Sequence, residues 1–129
     1  MKIHLSVPDS PYFVRRYKEV NGKPYLTIND EDFSTSLILH GHERILLADA
    51  HQISDLSTEF LNQFAEKTPQ LLLIGTGITQ SFLDSSSLLK LASFIQRQIG
   101  IEVMSTASAA RTYNILAQEG RDVVGIFFL

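Results

Sequence analysis

An unbroken apolar run, Leu71-Leu72-Leu73-Ile74, constrains this chain more than any other feature. Pro69 and Gln70 precede it, and Gly75-Thr76-Gly77 follows. The run shows no alternation of polar and apolar positions, so it predicts a strand covered on both faces. Such strands belong to parallel sheets, and helices must then lie on either side. Upstream, Asp55 or Ser57 can cap a helix carrying Phe60, Leu61, Phe64 and Ala65 at helical spacing, with Pro69 as its stop. Downstream, a short extended piece runs through Phe82. Asp84-Ser85 then offers a cap for a helix with the stripe Leu88, Leu91, Ala92, Ile95 and Ile99, closed by Gly100. Residues 101–104 read as the next strand. Ser105 or Thr106 caps a last helix, with Ala109, Ala110, Tyr113, Leu116 and Ala117 inward. Gly120 ends it, and residues 123–129 form a final strand. Strands joined through helices are parallel with right-handed crossovers, so this half predicts a β-α-β-α-β unit.

The first half reads differently. Tyr12, Val14 and Arg16 alternate with Phe13, Arg15 and Tyr17, as in a half-buried strand. Asn21-Gly22 marks a tight hairpin turn, and residues 25–28 return as a second strand. The acidic group Asn29-Asp30-Glu31-Asp32 reads as a polar connection. Residues 33–39 read as a third strand, His40-Gly41-His42 as a turn, and residues 44–48 as a fourth strand. Short connections make these strands antiparallel neighbours. The expected fold is therefore α/β and three-layered, with a mixed central sheet that is parallel in its C-terminal half. The N-terminal antiparallel strands extend that sheet, pack as a further layer, or form a separate sheet.

With 129 residues and 44% apolar content, the chain fits a single domain, residues 1–129, with a core that needs no staples. It has no cysteine, which excludes disulfides, thiolate nucleophiles, iron–sulfur clusters and cysteine zinc sites. The net charge is -3, and the basic residues are scattered apart from Arg15-Arg16 with Lys18. That argues against nucleic-acid binding, which needs clustered Lys and Arg. Met1-Lys2-Ile3-His4-Leu5, followed by Pro8, is too short and polar for a signal peptide. No apolar stretch is long enough to span a membrane as a helix. A cytoplasmic protein without a cofactor is the expectation.

Ligands of open parallel sheets bind beyond the carboxyl ends of the strands. Gly75-Thr76-Gly77 and Ser105-Thr106 fall there, the second at the start of the last helix. Glycines let backbone N–H groups approach a ligand, and a helix N-terminus attracts anions. Arg111 could swing toward the same edge. The functional reading is a small anion or carboxylate site. The plain reading is a sharp exit from a buried strand beside an ordinary cap. Gly75 and Gly77 do not make a dinucleotide fingerprint, because Gln80 holds the third glycine position and Phe82-Leu83 precedes any helix. A metal at His40-Gly41-His42 with Asp49 and His51 competes with an exposed polar hairpin. Asp30, Glu31 and Asp32 read as a solvated turn, and no Gly-x-Ser-x-Gly elbow is present. In Arg111-Thr112-Tyr113-Asn114, Tyr113 reads as core and Arg111 as surface. An inward Asn114 needs a polar partner. The functional reading of that segment is a polar cluster linking the last helix to the glycine loop.

These segments together carry a resemblance. Leu71-Leu72-Leu73-Ile74-Gly75-Thr76-Gly77, Glu102-Val103-Met104-Ser105-Thr106, Ala110-Arg111-Thr112-Tyr113-Asn114-Ile115-Leu116 and Glu119-Gly120-Arg121-Asp122-Val123 closely resemble a pattern of small bacterial and archaeal proteins. Those proteins are related to mitochondrial complex I assembly factor three. Val20-Asn21-Gly22 and Leu56-Ser57-x-Glu59 are similar too. The resemblance implies a three-layer domain of reduced Rossmann-like form with no established catalytic activity. The mitochondrial relative assists assembly of respiratory complex I through protein contacts. A binding or assembly module with a protein partner is thus implied, and a small-molecule or anion-binding protein, even an enzyme, is the alternative. By position, Gly75, Thr76, Gly77, Met104, Thr106, Arg111, Thr112, Tyr113 and Asn114 are the motif residues. Ala109 stands where members often carry Cys, and Ala48 near where they carry an aromatic.

Overall fold

The computed structural model describes residues 12–129. His4, the N-terminal residues read above as no signal peptide, and Pro11 lie outside them. In chain order the elements are β1 (Val14–Val20), β2 (Lys23–Ile28), β3 (Glu31–Phe33), β4 (Ser36–His40), β5 (Glu43–Leu47), a 3-10 turn (Ile53–Asp55) and α1 (Thr58–Ala65). There follow β6 (Leu71–Thr76), α2 (Ser85–Lys90), α3 (Ala92–Gln96), β7 (Gly100–Met104), α4 (Thr106–Gln118) and β8 (Val123–Phe128).

The strands form two sheets, one antiparallel in the order β1-β2-β3 and one of five strands in the order β5-β4-β8-β6-β7. The chain is a mixed α/β protein of three layers. β6 pairs in parallel with both β7 and β8, while β4 joins antiparallel to β8 and β5. The apolar run at β6 is fully covered, and its side chains alternate between two cores. Leu72 and Ile74 join Ile38, Val124, Ile126 and Phe128 under α1 and α3, with Leu61, Phe64, Leu91 and Phe94. Leu71 and Leu73 face the other way, with Leu37, Leu39, Phe127, and Ala109 and Tyr113 of α4. Val14, Leu26, Ile28 and Phe33 of the small sheet close that second core beside α4.

Of the three arrangements open to the N-terminal strands, the molecule combines two. β4 and β5 extend the central sheet, whereas β1–β3 form their own. The strand expected over residues 33–39 is correspondingly broken, and Ser34-Thr35 is where the chain passes from one sheet to the other. Asn21-Gly22 makes the expected hairpin turn, with positive φ at both residues. The polar connection shrinks to a turn at Asn29-Asp30, and Glu31 and Asp32 belong to β3.

The single helix expected from Asp84 to Gly100 is two short ones. The chain bends at Leu91, where Leu91 N donates to Leu88 O and Phe94 N to Leu91 O in tight three-residue turns. The bend sends Leu91 and Phe94 into the core and leaves Leu88 and Ile95 exposed, so the expected stripe is interrupted. Lys90 anchors the bend, its Nζ donating to Ser54 O and Leu56 O, each at 2.7 Å. Gly100 opens β7 instead of closing the helix, and Gln98 takes the left-handed position at φ 60°.

Candidate functional site

The strand order places β7 on one side of β6 and β8 on the other, so the direction of winding reverses at β6. The crevice beyond the carboxyl end of such a strand is where open α/β sheets bind ligands. Gly75-Thr76-Gly77 leaves β6 there, and Ser105-Thr106 starts α4 beside it. The two segments are in direct contact. A Cβ on Gly75 would stand 2.9 Å from both Cα and Oγ1 of Thr106, so the missing side chain is what lets α4 close onto the strand. Gly77 turns the chain with φ 98°, in the region that favours glycine.

Thr106 is buried and its polar groups are all used. Its amide donates to Gly77 O at 2.8 Å, its hydroxyl accepts from Gly77 N at 2.7 Å, and the same hydroxyl donates to Phe128 O. Ser105 caps α4, its Oγ accepting from Ser108 N at 3.3 Å. Two of the first helical amides are therefore bonded within the fold. Arg111 is exposed and donates to Ser108 Oγ one turn back at 3.2 Å. Tyr113 and Asn114 lie further along α4, away from the glycine loop. The Tyr113 ring is buried edge-on to Phe127, with centroids 5.6 Å apart. The polar partner that Asn114 needs is the main chain of Val14. Of the candidate residues, Gly75, Thr76, Gly77, Ser105 and Thr106 thus form one contact group at the rim, and Arg111, Tyr113 and Asn114 a second set along α4.

Thr76 looks the other way. Its hydroxyl donates to Thr79 O at 2.8 Å and accepts from Ser81 N at 3.0 Å, and so folds residues 77–81 into a compact turn. That turn carries Ile78, 68% exposed, and delivers Phe82, 92% exposed, to the mouth of a cavity of about 150 Å³. Ile53, Ile74, Leu83 and Phe128 supply apolar walls, and His51, Gln52, Thr76, Ser81, Asp84 and Ser87 supply polar ones. Asp84 is the cap of α2, its Oδ1 accepting from Ser87 N at 2.9 Å and Ser86 Oγ at 3.0 Å. The Ser87 amide first, then the Ser87 and Ser86 hydroxyls, hold its carboxyl below the usual carboxylate range.

Of the cavity's lining, the sequence singles out Thr76 for the rim, and His51 only for a metal. Among the described residues no group of three His, Asp or Glu is placed to hold a metal ion. His40 instead pairs through Nε2 with Asp122 at 2.7 Å, and its ring lies edge-on to Phe64. The signal that could have flagged Phe82 is simple. It is an aromatic residue on no apolar stripe, in the loop leaving the carboxyl end of a buried strand.

The fold is thus a doubly covered mixed sheet with its crevice at the point where the winding reverses. Residues 19–128 match the family described as protein of unknown function (DUF498/DUF598), and the chain belongs to that family. Among solved structures it is similar to a Bordetella parapertussis protein, 30% identical, with 91% of this chain and 94% of that one covered and a TM-score of 0.71. A Xanthomonas campestris protein is likewise 30% identical, covering 99% of this chain and 92% of its own, with a TM-score of 0.70. A Bordetella pertussis protein, described as a Mth938-like domain, is 25% identical over 99% of this chain and 92% of that one, with a TM-score of 0.71. No curated protein matches the chain. Among the described residues, no helix is long and apolar enough to cross a membrane.

Proposed function

We propose that this protein is a binding and assembly module that engages a protein partner through the turn after β6 and the start of α2. The observation that carries the reading is Phe82, 92% exposed beside the cavity mouth. A large ring left in water at a ligand-binding crevice marks a contact surface. Ile78, Leu88 and Leu89 add exposed apolar groups within the same stretch of chain. The rim glycines and Thr106 support the surface from beneath, because their hydrogen bonds fix where the turn begins. Ser105 and Arg111 flank it on α4, and Asn114 and Tyr113 seat that helix.

The resemblance to mitochondrial complex I assembly factor three makes a subunit of respiratory complex I the partner we put forward, met in the cytoplasm. The test is affinity capture from native cells with the full chain and with Phe82→Ser. Complex I subunits held by the wild type and lost with Phe82→Ser, at unchanged melting temperature, support the reading. Capture of none, or equal capture by both, overturns it.

A further inference from the structure

We propose that the cavity between the ends of β6 and β8 seats a basic side chain of the partner, a lysine ammonium or an arginine guanidinium. The proposal rests on the partner-binding reading above and gives the partner's chemistry. Three features of the cavity argue for it.

The first is charge. Asp84 is the single carboxylate in the lining, and the lining contains neither Lys nor Arg. The Asp84 carboxylate is locked in place as the α2 cap, so it meets an incoming cation without reorganising. Lys90, on the same helix, cannot neutralise it, because its ammonium is committed to Ser54 O and Leu56 O. An anionic guest would meet Asp84 with no Lys or Arg on the walls to offset it.

The second is shape and polarity. Lysine and arginine bury an aliphatic stem while keeping a charged head at a polar edge. Ile53, Ile74 and Phe128 line the inner side, where the stem would lie, and Asp84 and Ser81 stand for the head. The exposed Phe82 ring offers a face to a cation.

The third is hydrogen-bond capacity. The polar groups at the α4 side of the rim are spent inside the fold. At the cavity, Thr76 and Asp84 are likewise bonded within the fold, but among the described residues no protein group hydrogen-bonds the His51 ring, the Gln52 carboxamide or the Ser81 hydroxyl. Gln52 Oε1 and Ser81 Oγ are acceptors suited to N–H donors.

The test is an amide NMR titration of the full chain at neutral pH with N-acetyl-lysine methylamide and N-acetyl-arginine methylamide. The Nε-acetylated lysine compound and N-acetyl-glutamate methylamide serve as neutral and anionic comparisons. Expected are shifts confined to residues 51–53 and 81–87, with millimolar affinity for the cations and at least three-fold weaker binding of the others. Asp84→Asn keeps the helix cap, since Asn caps as well as Asp, and should weaken the cations at least three-fold. Equal affinity for cation and neutral compound, or no effect of Asp84→Asn, overturns the proposal. Capture separates the two readings. Loss of the partner with Phe82→Ser but full retention with Asp84→Asn leaves the partner surface standing and removes the basic anchor.

Discussion

One carboxamide, that of Asn114, closes both main-chain hydrogen bonds of Val14. Val14 N donates to Oδ1 and Nδ2 donates to Val14 O, each at 2.8 Å, across 100 residues of sequence. The side chain stands in for a neighbouring strand at that residue. It fastens the last helix to the first described strand, so the second core is closed by a polar clamp as well as by apolar packing.

Asn114→Ala should therefore destabilise the protein well beyond an ordinary surface change. Two part-buried backbone groups lose their partners, at about 1–3 kcal/mol each. The expected total is about 2–6 kcal/mol by denaturant unfolding. Asn114→Asp should recover part of this, because its carboxylate still accepts from Val14 N, although it can donate to Val14 O only when protonated. Hydrogen exchange at the Val14 amide reports the same contrast, fast in the alanine variant and slower in the aspartate variant.

At the rim, Thr106→Val keeps the shape of the side chain and deletes the hydroxyl that Gly77 N and Phe128 O share. The cost should be about 1–3 kcal/mol, from the buried groups left unbonded. Thr106→Ser keeps the hydroxyl and should lose about 1 kcal/mol or less, for the missing methyl group. A larger loss in Thr106→Ser than in Thr106→Val would show that the methyl group, and not the hydrogen bonds, holds the rim.

Gly75→Ala is a purely steric test of the same contact. The added Cβ lies 2.9 Å from Thr106 Cα, which is backbone and cannot swing away. The helix start must shift, at a cost of about 1–3 kcal/mol. The amide shifts of residues 105–109 should move while the β1–β2 hairpin stays unperturbed.

Much of this architecture was legible because its signals are local. The apolar run of β6, the Ser105 cap and the turn at Asn21-Gly22 each specify their own element within a few residues. What was not legible depends on distant pairing. Nothing within residues 33–39 tells that the chain changes sheets at Ser34-Thr35, because β4 is recruited by β8, whose partners for Leu37 and Ile38 are Phe127 and Ile126. The bend at Leu91 is also tertiary, since the tether from Lys90 reaches back to Ser54 and Leu56. The candidate site divides the same way. Gly75, Gly77 and Thr106 were readable as a rim, but the cavity beside it joins residues 51–53 to residues 81–87. Its walls meet only once the sheet is assembled.

Acid should weaken the protein partly through two exposed carboxylates. Asp84 is held below its ordinary value of 3.8 by the Ser87 amide and then the Ser87 and Ser86 hydroxyls. Asp32 is held down first by the Thr27 hydroxyl and then by Lys18, whose Nζ lies 3.0 Å away. A lowered folded value means that the unfolded chain takes up these protons first as pH falls. The stability they contribute is complete above the ordinary carboxylate range and is lost as pH drops through the folded values. Tyr17 gives the alkaline counterpart. Burial, and then Glu19, raise its hydroxyl above the ordinary 10.0, so its contribution is present below that value and is lost as pH rises through the folded one. Thermal unfolding of wild type and Asp84→Asn from pH 7 to pH 2 isolates the first group. The variant keeps the cap but no longer titrates, so the wild type should lead at pH 7 and the lead should shrink below about pH 4. A difference that stays constant down to pH 2 would mean that the Asp84 charge contributes nothing to the α2 cap.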